Sequence, residues 1–193
     1  MAFRLIKEKN PINEDVKVPL IITLIGSCFF IGFIPIASGT FASLVAFGIY
    51  LLPHTSQFYY ITLFILVFFW VGVYCSEKMR HRYGEDPSQV VIDEVVGMWF
   101  TYLIGSLVFE IFFSFKSFDP SIKFEAKLAF AVIGFFVFRL FDIIKLEPAK
   151  YFDNKDSGLG IMMDDIISGF YAGISSAVLT HLVWYQFLRK FLG

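Results

Sequence analysis

From Val18 to Ser76 the chain runs for 59 residues without an Asp, Glu, Lys or Arg. Two breaks divide this run, Pro35-Ile36-Ala37-Ser38-Gly39-Thr40 and Leu52-Pro53-His54-Thr55-Ser56-Gln57. They leave an apolar segment from Val18 to about Ile36, a shorter piece from Phe41 to Leu52, and a full-length piece from Phe58 to Ser76. The 12-residue middle piece is short for a bilayer crossing, which takes roughly 20 residues. Further on, Val95 to about Phe113 is apolar apart from Glu110, Leu128 to Lys145 carries Arg139 and Asp142 near its end, and Ile166 to Leu188 lacks charge throughout. The last stretch spans about 34 Å as a helix. Polar segments separate these pieces: an arm at 1–17, loops at 77–94 and 146–163, and a mixed stretch reaching Lys127. No long alternation of period two appears, and helices satisfy every backbone group within one segment in lipid. The pattern predicts an all-α, polytopic membrane helical bundle with a broken or re-entrant N-terminal apolar segment. It forms a single membrane-embedded domain, 18–193, behind the polar arm.

Parity orders these pieces. With the 53–57 turn outside and the 77–94 and 146–163 loops inside, Thr40, Asp93-Glu94, Asp142 and Asp164-Asp165 all fall at cytoplasmic helix ends. Eleven of the 16 Lys and Arg lie in the arm, the 77–94 loop and the 139–163 region, as the positive-inside rule prefers. Segment 18–36 then re-enters or lies in the interface, unless the arm is outside and the segment crosses.

Composition agrees: 57% of residues are hydrophobic, 20% aromatic, 26 are Phe, and mean hydropathy is +0.69. A net charge of −1 excludes a nucleic-acid partner, which needs a basic surface. Cys28 and Cys75 lack metal or redox spacing and read as buried thiols. The arm carries seven charges and no apolar stretch before Val18, so no cleavable signal peptide is expected. His54, His81 and His181 are scattered, and the Phe excess reads as packing and lipid-facing surface.

The chemistry lies in the acids. Asp93-Glu94 and Asp164-Asp165 each stand between apolar runs, where ionisable groups are costly and therefore functional candidates. Carboxylates suit a hard divalent cation such as Mg²⁺, and without neighbouring His or Cys zinc fits less well. The plain alternative is that acids at helix starts complement the macrodipole. Arg139, Asp142 and Lys145 recur at spacings of three and share a helix face, which places two cations and a carboxylate where they can clamp a phosphate ester. Here the plain alternative is an Arg139–Asp142 ion pair with Lys145 reaching for the interface. The Gly39-Thr40 break opens a helix whose free amides, with the hydroxyls of Ser38, Thr40 and Ser43, make an anion site, or else a simple cap. Asp156-Ser157-Gly158-Leu159-Gly160 reads as a flexible turn.

Four blocks in order carry a resemblance: Gly39-Thr40 with Ser43, Asp-Pro-x-x-Val-Val-Ile-Asp-Glu-Val-Val-Gly at 86–97, Phe-Arg-Leu-Phe-Asp-Ile-Ile-Lys at 138–145, and Gly-Leu-Gly-Ile-Met-Met-Asp-Asp-Ile-Ile-Ser-Gly at 158–169. Across roughly residues 25–190 the chain resembles the bacterial phosphatidylglycerophosphatase A family. The resemblance implies a Mg²⁺-dependent, multi-pass inner-membrane phosphatase that converts phosphatidylglycerophosphate to phosphatidylglycerol, with its active site on the cytoplasmic side. It implies Asp93, Glu94, Asp142, Asp164 and Asp165 as catalytic and metal-binding acids, with Lys145 beside them. Gly39, Thr40, Ser43 and Arg139 are the expected phosphate-binding set. Ser38 stands for a family proline, Ala42 for a glycine, Leu146-Glu147-Pro148 for Pro-x-Pro and Ser157 for a first glycine, all leaving the acids intact. Asp153 is out of step with the glycines and receives no role. The competing readings are an ion- or proton-coupled transporter using the same acids, and a headgroup transferase, for which no nucleotide signature is seen. Oligomeric state is open.

Overall fold

A computed structural model describes residues 12–85, 87–113 and 124–183. The first part of the arm, Asp86, the stretch 114–123 and the expected end of the last span at 184–188 lie outside the described residues. Those described form seven helices and no strand: α1 (Leu20–Gly26), α2 (Ser38–Leu51), α3 (Phe58–Tyr83), α4 (Ile92–Phe113), α5 (Phe124–Ile144), α6 (Ala149–Asp153) and α7 (Gly158–Val183). Three of them, α3, α4 and α7, are long and apolar enough to cross a membrane. The expected all-helical bundle is what forms.

Segment 18–36 does not make one helix. α1 stops after seven residues, and Cys28, Phe29 and Phe30 follow with φ of 46°, 56° and 68°. Left-handed backbone costs a non-glycine residue roughly 1–2 kcal/mol, so three in succession need support. The Ser27 hydroxyl donates to Thr23 O at 2.6 Å and accepts from Phe30 N at 3.1 Å, while Gly32 N donates to Ser27 O and Val91 N to Gly26 O, both at 3.0 Å. A short 3₁₀ turn at Ile31–Phe33 leads out. Gly32 presses so closely on the Gln89 backbone that a Cβ would collide with its carbonyl. Asn13 N donates to Arg82 O at the end of α3, and Ser38 Oγ donates to Ser88 O. Both ends of the segment thus lie at the same end of the bundle, and the segment re-enters.

Several element boundaries differ from expectation: α2 begins at Ser38 and α5 at Phe124, each three or four residues early, α6 forms inside the expected 146–163 loop, and three further differences bear on the site. Residues 77–83, expected as loop, continue α3 for two turns. Glu77, Lys78, Met79 and Arg80 are good helix formers, Glu77 pairs with Arg80 at 2.9 Å, and Gly84 at φ 100° ends the helix. α4 begins at Ile92, so Asp93 and Glu94 occupy its first turn. α7 begins at Gly158 rather than near Ile166. Its first amides are met by Glu77 Oε2, which accepts from Gly158 N at 2.6 Å, and by Ser157 Oγ, which accepts from Gly160 N at 3.0 Å. The expected flexible turn is the tight start of a helix: a Cβ on Gly158 would lie 2.7 Å from Glu77 N, and one on Gly160 2.5 Å from Lys155 O.

α7 packs most extensively on α4, then on α5 and α3. Small residues let the α4 and α7 backbones approach, the usual device where lipid removes the hydrophobic drive between helices. A Cβ on Gly169 would lie 2.6 Å from Gly97 O. Aromatic side chains of α4 reach the other neighbours: Trp99 Nε1 donates to Ala46 O of α2 at 3.1 Å, and Tyr102 OH to Ala131 O of α5 at 3.0 Å. Tyr102 also stacks on Tyr50 at 4.1 Å.

A Cβ on Gly173 would meet Ile104 Cβ at 2.7 Å and Thr101 O at 2.9 Å, whereas one on Gly48 would meet nothing within 4 Å. Gly173→Ala is expected to cost about 1–3 kcal/mol by overpacking, read as a lower Tm in detergent. Gly48→Ala should leave Tm unchanged or raise it slightly; equal effects would contradict the packing described.

Candidate active site

The end of the bundle that gathers the arm, the 84–91 loop and α6 contains a cavity of about 730 Å³. Its walls include Gly39, Asp93, Glu94, Arg139, Asp142, Lys145, Asp153, Asp164 and Asp165. Four helices supply these acids: the first turn of α4, the last turn of α5, the end of α6, and the second turn of α7. The helix-start explanation covers Asp93 and Glu94. It fails for Asp164 and Asp165, because the first turn of α7 holds no acid and these residues are 5% and 2% exposed inside the bundle.

Geometry divides the five predicted acids. Asp93, Glu94 and Asp165 each offer one carboxylate oxygen, all within 4.8 Å of one another. Asp93 Oδ1, Glu94 Oε2 and Asp165 Oδ2 are buried and accept no hydrogen bond. Burying such oxygens unsatisfied is costly, and a hard cation with oxygen ligands satisfies them; the donor set fits one. Asp142 and Asp164 are committed elsewhere. Asp142 Oδ2 pairs with Arg139 Nη1 at 2.8 Å. Asp164 Oδ2 accepts from Lys145 Nζ at 2.6 Å, and its Oδ1 from Asp165 N at 2.9 Å.

The predicted cations take different parts. The Arg139–Asp142 ion pair exists as foreseen, and Arg139 Nη1 also lies 3.5 Å from Ser43 Oγ. Arg139 Nε is buried without a partner. Lys145 does not reach for the interface. It follows α5 at φ 49°, and its ammonium turns inward to bridge Asp164 and Asp153. Burial pulls the Lys145 ammonium down, but the Asp164 and Asp165 carboxylates and the hydrogen bonds to Asp153 and Asp164 outweigh it. The group is held above its ordinary value and stays charged at neutral pH. Asp153, given no role from sequence, completes this bridge. Its distance along the chain hid it: eight residues and the α6 turn separate it from Lys145.

Of the predicted anion-binding break, only part faces the cavity. Ser38 and Gly39 line it, while Thr40 and Ser43 are not among its lining residues. The Ser43 hydroxyl donates to Gly39 O at 2.9 Å, which leaves its oxygen facing Arg139. Ser43 thus steadies the guanidinium rather than reaching into the cavity. Gly39 has a sterically defined part, since a Cβ there would collide with Glu94 Oε1 and lie 3.3 Å from Arg139 Nη1.

Because the atom in the way is the far end of a flexible side chain, Gly39→Ala should fold. It should push Glu94 out of the three-carboxylate group and weaken divalent-cation binding by about tenfold, in the range found when support of a metal ligand is lost. Mn²⁺ titration followed by electron paramagnetic resonance reads this; wild-type affinity in the variant would separate Glu94 from the cation site.

Comparison with known proteins bears on what this site does. Residues 24–180 match the phosphatidylglycerophosphatase A family. Among similar proteins is one of Bacteroides thetaiotaomicron provisionally named a phosphatidylinositol-3-phosphatase, 33% identical over 80% of this chain and 91% of its own length. The phosphatidylglycerophosphatase A of Haemophilus influenzae is 33% identical over 86% of this chain and 93% of its own, and that of Escherichia coli 29% identical over 77% and 75%. No solved structure matches the chain. The four sequence blocks that carried the resemblance fall inside the matched residues and, in the fold, converge on one cavity; the chain belongs to the phosphatidylglycerophosphatase A family and is a phosphatase.

Proposed function

We propose that the protein hydrolyses phosphatidylglycerophosphate to phosphatidylglycerol and phosphate, in a Mg²⁺-dependent reaction of phospholipid biosynthesis. The observation that carries this reading is the meeting of the Asp93, Glu94 and Asp165 carboxylates, each of which also has a buried oxygen without a hydrogen bond, with Arg139 and Lys145 around one cavity. Apart from Glu85, six carboxylates and two cations line that cavity. A phosphate dianion is repelled by such an excess of negative charge, so the residues call for a cation before they admit the substrate.

Asp93, Glu94 and Asp165 would hold the ion. Bound there, a divalent cation offsets negative charge and polarises a phosphoryl oxygen. The chain's own groups do the rest. Asp142 and Ser43 hold the Arg139 guanidinium in one orientation on the cavity wall, where it offers a fixed positive charge to a phosphoryl group. Lys145, held by Asp153 and Asp164, supplies a second fixed positive charge beside the charge that develops on the departing phosphate. Donors set in place before the reaction need no reorganisation during it.

We place the site at the cytoplasmic face of the bacterial inner membrane. Among the described residues, every Lys and Arg except Lys127 lies toward the cavity end of the chain's helices, while Lys127 donates to Leu52 O at the other end. That asymmetry follows the positive-inside rule. The transport reading gains nothing from the fold, whose acidic cluster lies at one end of the bundle and not at mid-span. The Bacteroides relative, with a different lipid phosphate in its name, supports a second substrate for the same site, a phosphatidylinositol phosphate.

Purified protein in detergent is expected to release phosphate from phosphatidylglycerophosphate with Mg²⁺ and not with EDTA. Asp165→Asn should lower turnover by at least about a hundredfold while the helical circular dichroism stays unchanged, since it removes one of only three ligands. Release that resists EDTA, or a fully active Asp165→Asn variant, would overturn the reading. Faster release from a phosphatidylinositol phosphate would reassign the substrate and leave the site intact.

A further inference from the structure

The cavity is not lined evenly. Its base is charged, and one flank is polar, formed by Glu85, Ser88 and Gln89. Adjoining it, the lining is apolar: Phe33, Ile34 and Ile36 from the segment after α1, and Ile143 from the end of α5. These are outward-facing residues, with Phe33 40%, Ile36 66% and Ile143 58% exposed, and Phe29 beside them is 78% exposed. No spanning helix presents them. Phe29, Phe33, Ile34 and Ile36 lie on the segment that re-enters, which is fixed in left-handed backbone by the Ser27 hydrogen bonds and by the Gly32–Gln89 contact, and Ile143 stands near the end of α5. Large apolar side chains at the mouth of a charged cavity serve nothing that a water-soluble ester requires, since such an ester needs only the base.

We infer that the ridge 29–36, together with Ile143, is the acyl-chain face of the substrate site. This rests on the proposed lipid phosphatase activity and adds the route by which the lipid reaches it. The occupant is the proximal acyl-chain region of a phosphomonoester lipid. Its phosphate reaches the acidic base past Gly39 and Arg139, while its chains stay in the bilayer between Phe33–Ile36 and Ile143. The polar flank at Glu85–Gln89 is the aqueous side, by which water enters and inorganic phosphate leaves. An amphiphile matches both halves of the lining, charged base to headgroup and apolar lip to chains. Exposed apolar surface of this kind at the membrane level marks a lipid contact and not a defect of packing.

The test compares phosphatidylglycerophosphate in mixed micelles with its deacylated headgroup, glycerophosphoglycerophosphate, in F33S/I36S and separately in Ile143→Ser. Wild type should prefer the lipid, and both variants should raise the KM for lipid, expressed as surface concentration, by roughly tenfold, a usual penalty for lost apolar contact with a substrate. Turnover of the deacylated compound and Tm should stay at wild-type values. Wild-type lipid KM in both variants would overturn the inference, as would an equal loss on both compounds. A changed oligomeric state with unaltered lipid KM would make the ridge a protein interface instead. Wild-type protein inactive on the lipid would sink the phosphatidylglycerophosphate reading itself, whereas wild-type protein equally active on both compounds would sink only the acyl-chain face.

Discussion

A carboxylate inside an apolar bundle must have its charge neutralised, by a cation of the chain, by a proton, or by a cation from outside. This constraint organises the cavity end of the fold. Asp142 and Asp164 take the first course, each with its own base, Arg139 and Lys145. Asp93, Glu94 and Asp165 are left with buried oxygens that nothing in the chain satisfies. Removing charge from water is costly, and three such groups gathered together form a donor set that fits a hard cation. The two ion pairs fix Arg139 and Lys145 in place, and the three remaining acids are the ones that would hold the cation proposed above.

Close backbone approach is what lets these groups meet. Asp93 and Glu94 stand on α4, Asp165 on α7, and the two helices come within reach because Gly97 and Gly169 carry no Cβ at their crossing. A Cβ on Gly97 would lie 2.8 Å from Asp165 O and 3.0 Å from Asp165 Cβ, so the residue that permits packing is the one that sets the carboxylate. Glu77 extends the same logic to α3. Its carboxylate receives the first amide of α7, which fixes where that helix starts and therefore that Asp164 and Asp165 fall in its second turn.

Much of this was legible in the sequence. Charge-free runs of the right length marked the long helices, because the bilayer penalises charge and leaves that signature in composition. The spacing of three in Arg139, Asp142 and Lys145 foretold their grouping, and the Arg139–Asp142 pair followed. What local pattern could not reveal was any arrangement made by tertiary contact. Residues 77–83 looked like a loop because they are polar, yet polarity is compatible with a helix that emerges from lipid into water. Gly158 and Gly160 looked flexible because glycine usually is, yet their amides are capped and their missing side chains are filled by α3 and the 152–155 turn. Asp153 has no signal in the sequence because its role depends on Lys145 turning back at a left-handed residue, which no spacing rule encodes. Ser43, read as a phosphate donor, faces Arg139 because its proton goes to Gly39 O.

The re-entrant segment joins both themes. An apolar run of this kind that crossed the bilayer would put the arm and Gly39 on opposite sides, and α2 would then begin with its N-terminus away from the acids. Ser27 prevents this by closing α1 after two turns, at the expense of three left-handed residues, and the chain returns to the level it left. The return delivers Gly39 against Glu94 and Arg139, and in the same few residues it sets Phe33, Ile34 and Ile36 on the lining of the same cavity. One local break in an otherwise ordinary hydrophobic stretch therefore supplies both the close approach at the charged base and the apolar edge around it. A straight spanning helix could offer either, but not the two within eight residues of each other.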